Sequence, residues 1–293
     1  MNQPNPVRRK IKELEVMVAE VIPETPDTTT LILFTGNDRL DYKAGHFLTI
    51  DPHQFGGLER FIAFFEDIKG KKEPSRAYSL ASAPHEKYLA ITIKEERYVS
   101  GISKYPPLLS PLLVKRMARG MRIIVTGFTG PYTLPDDIES RTDHIVHLCA
   151  GSGSVPNFSI LKHTLVEHPK VKHTIVYSNK TWGDIIFRDA LAQLERSNTE
   201  RVKVIYSLTR EKPTPAMHPC IKEGRITTAL LREIIPNPDS CLVYACGPAI
   251  SPLDRKNEAE TGIPVKPRFL ETVLESLAEL GIPDERIMTE SYG

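Results

Sequence analysis

The chain has 293 residues, room for two domains of ordinary size. Its 38 Lys and Arg against 37 Asp and Glu leave a formal charge of +1, too balanced for a nucleic-acid-binding protein. No run reaches the roughly 18 apolar residues of a membrane span, and the polar, basic tail 1–12 lacks the apolar core of a secretory signal, so a cytoplasmic location is expected. In chain order, short runs rich in β-branched and apolar residues stand at 15–19, 29–34, 47–51, 77–82, 90–94 and 122–126. Gly, Pro and Asp separate them, and six strands at this spacing predict an antiparallel barrel. Residues 58–69 read as an amphipathic helix inserted between strands. Residues 110–119 read as a second helix, with Ser110 as N-cap, Pro111 at the first position and Gly120 after the end.

The rhythm changes near 135–143. Strand-like runs at 144–149, 173–177, 202–207 and 241–246 then alternate with helix-like runs at 157–167, 184–195, 228–233 and 267–280. That alternation predicts a parallel sheet with crossover helices, an architecture suited to nucleotides. The expected organisation is a tail at 1–12, a β domain at 13–138 and an α/β domain at 139–293. Cys149, Cys220, Cys241 and Cys246 form no CxxC pair and no spacing suited to zinc or an iron–sulfur cluster, so no metal site is expected. Redox chemistry in this chain would therefore need an organic cofactor.

Four segments, at 76–79, 149–156, 244–248 and 290–293, carry chemistry, with Lys94, Tyr98 and Leu109-Ser110 as context. Arg76-Ala77-Tyr78-Ser79 offers a cation for a phosphate, an aromatic face and a small hydroxyl, with Arg76 and Tyr78 on one face of a strand and Ser79 on the other. Lys94 and Tyr98 follow the next strand at a four-residue spacing, and Leu109-Ser110 opens a helix whose free amides suit a diphosphate. Residues 149–156 (Cys-Ala-Gly-Ser-Gly-Ser-Val-Pro) join a strand to a helix. Gly151, Ser152 and Gly153 let the backbone approach a pyrophosphate. This turn is neither a P-loop, lacking Gly-Lys-Ser/Thr, nor a full GxGxxG, since Pro156 stands in place of the third glycine. Cys246-Gly247-Pro248 ends the last predicted strand, where a thiol can lie against a ligand. A Glu290-Ser291-Tyr292-Gly293 tail would ordinarily fray.

Taken in order, these motifs together with Thr209-Arg210 resemble the ferredoxin–NADP reductase family over nearly the whole chain. The resemblance implies an FAD-binding Greek-key barrel at 13–138 and an NADP-binding α/β domain at 139–293. It implies that Arg76, Ala77, Tyr78 and Ser79 hold the flavin and its phosphate, with Ile93 and Lys94 on the neighbouring strand. Tyr98 would stack on adenine, and Leu109 and Ser110 would meet the diphosphate. Ser79, Cys246 and Glu290 would flank the hydride path, with Tyr292 covering the flavin and Gly247 and Pro248 beside the nicotinamide. Lys180, Arg210 and Arg225 are cations suited to a ribose 2′-phosphate, which favours NADPH; Asp184 is the nearest acid that could instead serve NADH.

The implied activity is hydride transfer from NADPH to FAD, then release of single electrons to a separate ferredoxin or flavodoxin. The alternative is the reductase component of a particular oxygenase, using NADH or NADPH. A non-catalytic flavin module is disfavoured, because a mere binder needs no Ser79, Cys246 and Glu290 together. Two segments depart from the family pattern, 56–74 and the charged, proline-rich stretch 249–266.

Overall fold

The computed structural model describes residues 13–36, 40–100, 103, 105–235 and 237–292; the tail 1–12 and Gly293 lie outside them. The described residues divide into two compact units, one within 13–23 and 27–133, the other within 24–26 and 134–292.

The first unit is a six-stranded antiparallel barrel. Its strands are β1 (Leu14–Thr25), β2 (Thr28–Phe34), β3 (Phe47–Ile50), β4 (Arg76–Ser79), β5 (Leu89–Lys94) and β6 (Arg122–Thr129), in the order β4-β3-β6-β1-β2-β5. An antiparallel bridge from Leu80 to Ile91 joins the two ends of that order. Alternate side chains turn inward, so Val16, Val18, Leu31, Leu33, Leu48, Ile50, Ile91, Ile93, Ile123 and Val125 form one buried core. Helix α1 (Glu59–Lys69) is inserted between β3 and β4. Ile62 and Phe65 are buried on one face of it, and Gly70 ends it at φ +63°.

Helix α2 (Ser110–Lys115) stops four residues before the expected end. Beyond it, Gly120 N–H donates to Val18 O and Val18 N–H to Met121 O, so the last residues are drawn into pairing with β1. Nor does Ser110 cap this helix: Leu109 holds the N-cap position without a side-chain bond, and the Ser110 hydroxyl accepts from Glu96 N–H at 3.1 Å.

The second unit is a parallel sheet flanked by helices. Its strands are β7 (His144–Ala150), β8 (Lys172–Asn179), β9 (Val202–Leu208), β10 (Ile221–Glu223), β11 (Cys241–Pro248) and β12 (Ile287–Tyr292), ordered β10-β9-β8-β7-β11-β12. The helices are α3 (Ile138–Arg141), α4 (Ser154–Glu167), α5 (Arg188–Ser197), α6 (Thr228–Ile234), α7 (Pro252–Thr261) and α8 (Phe269–Glu279). Helix α4 begins three residues earlier than expected. Pro156 lies in its first turn, where a missing N–H costs nothing. Helix α5 starts four residues late, because Asp184 caps Thr181 in a separate short turn and Phe187 takes a left-handed φ of +59°. The terminal tail is a strand, and the 249–266 segment contains α7, opened by a Ser251–Asp254 capping box. No helix among the described residues is long and apolar enough to cross a membrane.

Candidate functional site

In the first unit, β4 and the start of α2 border a cavity of about 280 Å³. Arg76, Ala77, Tyr78, Lys94, Leu109 and Ser110, six of the residues expected from sequence, line it. Ser79 is buried at the end of β4, opposite Phe47, and Ile93 is buried in β5. Tyr98 is 53% exposed and is not part of the lining; the aromatic rings that reach the cavity are Tyr78, Tyr105 and Phe65. Burial, with the Glu96 carboxylate nearby, pushes the Tyr78 phenol above its usual range, so it stays a neutral hydroxyl.

The cations of this cavity are held in place. Arg76 donates to Pro74 O at 2.7 Å and to Glu73 Oε2 at 3.0 Å. Lys94 pairs with Asp27 at 2.8 Å. A phosphate fits this chemistry: a guanidinium with donors fixed in direction, a second strand-borne cation, and the amides at the start of α2. Sequence reasoning missed Phe65, Lys69, Glu73 and Tyr105, which come from the distinctive insert and from the loop before α2.

In the second unit all strands run parallel, so their carboxyl ends share one edge. Every residue expected to meet a dinucleotide lies along that edge. The turn Gly151–Gly153 follows β7, with Gly151 at φ +53°. The Tyr177 hydroxyl sits 2.9 Å from both Gly151 O and Ser154 Oγ, bracing the turn from β8. Gly153 is pressed against β11: a Cβ there would lie 2.1 Å from Cys246 O. Gly247 is closed in by Phe269, whose ring a Cβ would approach to 2.6 Å, and Pro248 is exposed beyond it. Pro156 is buried in the first turn of α4.

Behind the turn runs a buried chain of hydrogen bonds. Asn157 Nδ2 donates to Gly153 O at 2.9 Å, which leaves Asn157 Oδ1 to accept from His147 Nδ1 at 2.8 Å. His147 Nε2 then accepts from His173 Nδ1 at 3.0 Å. Burial depresses both imidazoles, His147 to about 4 and His173 well below the usual value, so both are neutral. Neither histidine nor Asn157 was singled out from sequence; inward-facing polar residues on two neighbouring strands were the available signal.

The β11–β12 register sets Cys246 opposite Glu290 and Pro248 opposite Tyr292. Cys246 Sγ lies 4.0 Å from Glu290 Oε2, and the Tyr292 hydroxyl donates to the same oxygen at 3.4 Å. Burial, reinforced by the Glu290 charge, drives the Cys246 thiol well above its usual pKa, so the proton stays on sulfur. At the other end of the edge, the exposed Lys180, Thr209 and Arg210 follow β8 and β9, and Arg225 follows β10. Thr209 N–H donates to Asn179 O and Arg210 N–H to Lys180 O, both at 2.9 Å, stitching the two loops together. Asp184 is engaged elsewhere, accepting from the Thr181 N–H and hydroxyl on one oxygen.

Residues 148–250 match the oxidoreductase NAD-binding domain. The chain is 27% identical over 290 residues to the ferredoxin reductase component of 3-ketosteroid-9-alpha-monooxygenase from Mycobacterium tuberculosis, covering 95% of this chain and 65% of that one. It spans less than two thirds of the length of this and other curated relatives it matches. The FAD/NAD-binding domain of nitric oxide dioxygenase from Vibrio cholerae superposes with a TM-score of 0.70 at 22% identity, over 96% of this chain and 98% of that one. Ferredoxin–NADP+ reductase from Plasmodium falciparum gives 0.61 at 17% identity, with 96% of both chains covered. Residues 148–250 thus match an oxidoreductase NAD-binding domain, and the fold is that of ferredoxin–NADP+ reductase and its structural neighbours.

Proposed function

We propose that the chain is an FAD-dependent oxidoreductase that accepts hydride from NADPH and delivers single electrons to a separate carrier protein, a ferredoxin or flavodoxin. The observation that carries this reading is the single sheet edge shared by the Gly151–Gly153 turn, Cys246, Glu290 and the three cations. Ligands of such sheets bind beyond the carboxyl ends of the strands. Bound flavin supplies the conversion of a two-electron hydride donor into single electrons.

The chain's own groups do the rest. Arg76 and the α2 amides hold phosphate in the barrel, and the α4 amides and the Gly turn hold the nucleotide diphosphate. Cys246 keeps its proton and donates toward Glu290, presenting a neutral, polarisable sulfur rather than a competing thiolate nucleophile. Lys180, Arg210 and Arg225 favour NADPH, and Asp184, the nearest acid that could instead serve NADH, is occupied in its capping contacts.

A second reading, the reductase component of one oxygenase, is favoured by the mycobacterial relative that serves a monooxygenase. Both readings require FAD. The protein reconstituted with flavin and then heated should release FAD, and Arg76→Ala should lower its FAD content. That substitution deletes a charge-assisted contact worth about 1.5–3 kcal/mol. Release of FMN alone, or an Arg76→Ala protein with full FAD occupancy, would overturn the reading.

A further inference from the structure

We infer that Lys69, supplied by the inserted helix α1, is a further phosphate-binding cation of the flavin cavity, positioned beside Arg76 by the buried carboxylate of Glu73. The inference rests on the flavin reading above but goes beyond it, since the motif at β4 provides only Arg76. Glu73 bridges the two cations: Oε1 is bonded by Lys69 Nζ and Oε2 by Arg76 Nη2. Its side chain is 1% exposed, while those of Lys69 and Arg76 are 20% and 41% exposed. The carboxylate therefore sits behind the two cations, and the cations face the cavity that all three line. The pair of cations holds the Glu73 carboxyl below its usual range despite its burial, so it remains charged.

The bridge is itself anchored. Glu73 N–H donates to Glu66 Oε1 at 2.8 Å, and His53 Nε2 meets that same oxygen at 2.9 Å. The Lys69 ammonium lies over two rings, with Nζ 5.0 Å from the centre of Phe65 and 4.7 Å from that of Tyr105, an arrangement that limits where it can swing. A solvated surface pair of lysine and glutamate needs no fully buried carboxylate, no second cation on its other oxygen and no aromatic walls.

Charge completes the argument. Lys94 is matched by Asp27, whereas Lys69 and Arg76 share the single carboxylate of Glu73, so the cation pair at Glu73 carries one positive charge beyond that carboxylate. A partly desolvated excess cation is stabilised by an anion, and the anion common to FMN and FAD is phosphate. On this account α1 is part of the cofactor site, and its four-residue Lys69–Glu73 spacing is what delivers the further cation.

The test is titration of the apoprotein with FAD, FMN and riboflavin, following flavin fluorescence, for wild type, Lys69→Gln and Lys69→Arg. Gln can still donate to Glu73 but carries no charge. Lys69→Gln should weaken FMN and FAD about tenfold or more, the scale of one charge-assisted bond, and leave riboflavin unchanged. Lys69→Arg should restore most of the loss, and added salt should narrow the gap between wild type and Lys69→Gln. Equal weakening of all three ligands would mean a purely structural lysine and overturn the inference, as would no weakening of FMN or FAD. Weakening of FAD but not FMN would assign Lys69 to the adenylate part instead and overturn it as stated. A wild type that binds none of the three would overturn the flavin reading itself, and this inference with it.

Discussion

At the scale of single residues, the nucleotide edge depends on two atoms that are absent. A methyl group at Gly153 would stand 2.1 Å from the Cys246 carbonyl, so backbone must move, whereas Gly151 has open space and only its φ of +53° to satisfy. Gly151→Ala should cost about 1–2 kcal/mol, the left-handed penalty alone. Gly153→Ala should cost about 1–3 kcal/mol or more through overpacking, and it should also weaken nucleotide binding by displacing the turn. Thermal unfolding and nucleotide titration of both variants check this; equal effects would contradict the contact. The cysteines give a second expectation. Cys149, Cys241 and Cys246 are buried, while Cys220 is partly exposed. Burial raises the thiols of all three buried residues. Iodoacetamide at neutral pH, followed by mass spectrometry, should therefore label Cys220 first and spare Cys246 until the protein unfolds. Early labelling of Cys246 would refute a protonated, enclosed sulfur. The Cys246–Glu290 pairing was half legible in the chain. The two residues were recognisable as members of motifs, but their adjacency comes from the parallel register of strands 44 positions apart in sequence.

At the scale of elements, the hydrogen-bonded line from His173 through His147 and Asn157 to Gly153 ties β8, β7 and α4 to the nucleotide turn. Both histidines are neutral in the folded chain with depressed pKa values, His147 at about 4. The unfolded state then binds more protons below about pH 6.5, so stability falls as pH drops from there toward 4, by up to about 1.4 kcal/mol per pH unit for each histidine. Denaturant unfolding between pH 4 and 8 should show this slope, and His147→Gln should reduce it; an unchanged slope would remove His147 from the account. The elements differ in how well sequence revealed them. The six barrel strands were readable from alternation and turn residues. The missed β12 carries Met288, Glu290 and Tyr292 on one face, and its strand character comes from pairing with β11 rather than from its own pattern. Helix α7 had a readable signal, Ser251-Pro252 followed by Asp254, which is a capping box with proline at the first position. Helix α5 was misplaced because Asp184 reads equally as a helix start and as the cap it forms with Thr181.

At the scale of the whole molecule, the chain combines an antiparallel barrel that offers a phosphate cavity with a parallel sheet that offers a nucleotide edge. Fold class was legible because, near 135–143, a succession of short strand-like runs gives way to strand-like runs alternating with helix-like runs. Much of the barrel cavity was not: Tyr105 meets Phe65 and Lys69 across more than 30 residues of sequence, which no local pattern dictates. On the proposed function, electrons flow from a nicotinamide nucleotide through bound FAD to a one-electron acceptor. Anaerobic stopped-flow mixing of the FAD-loaded protein with NADPH or NADH, followed by a one-electron acceptor such as ferredoxin, tests it most directly. The account predicts rapid bleaching of the flavin absorbance, faster with NADPH than with NADH, and reoxidation when the acceptor is added. A flavin that neither nucleotide reduces would contradict the proposal, and a clear preference for NADH would contradict its choice of cofactor.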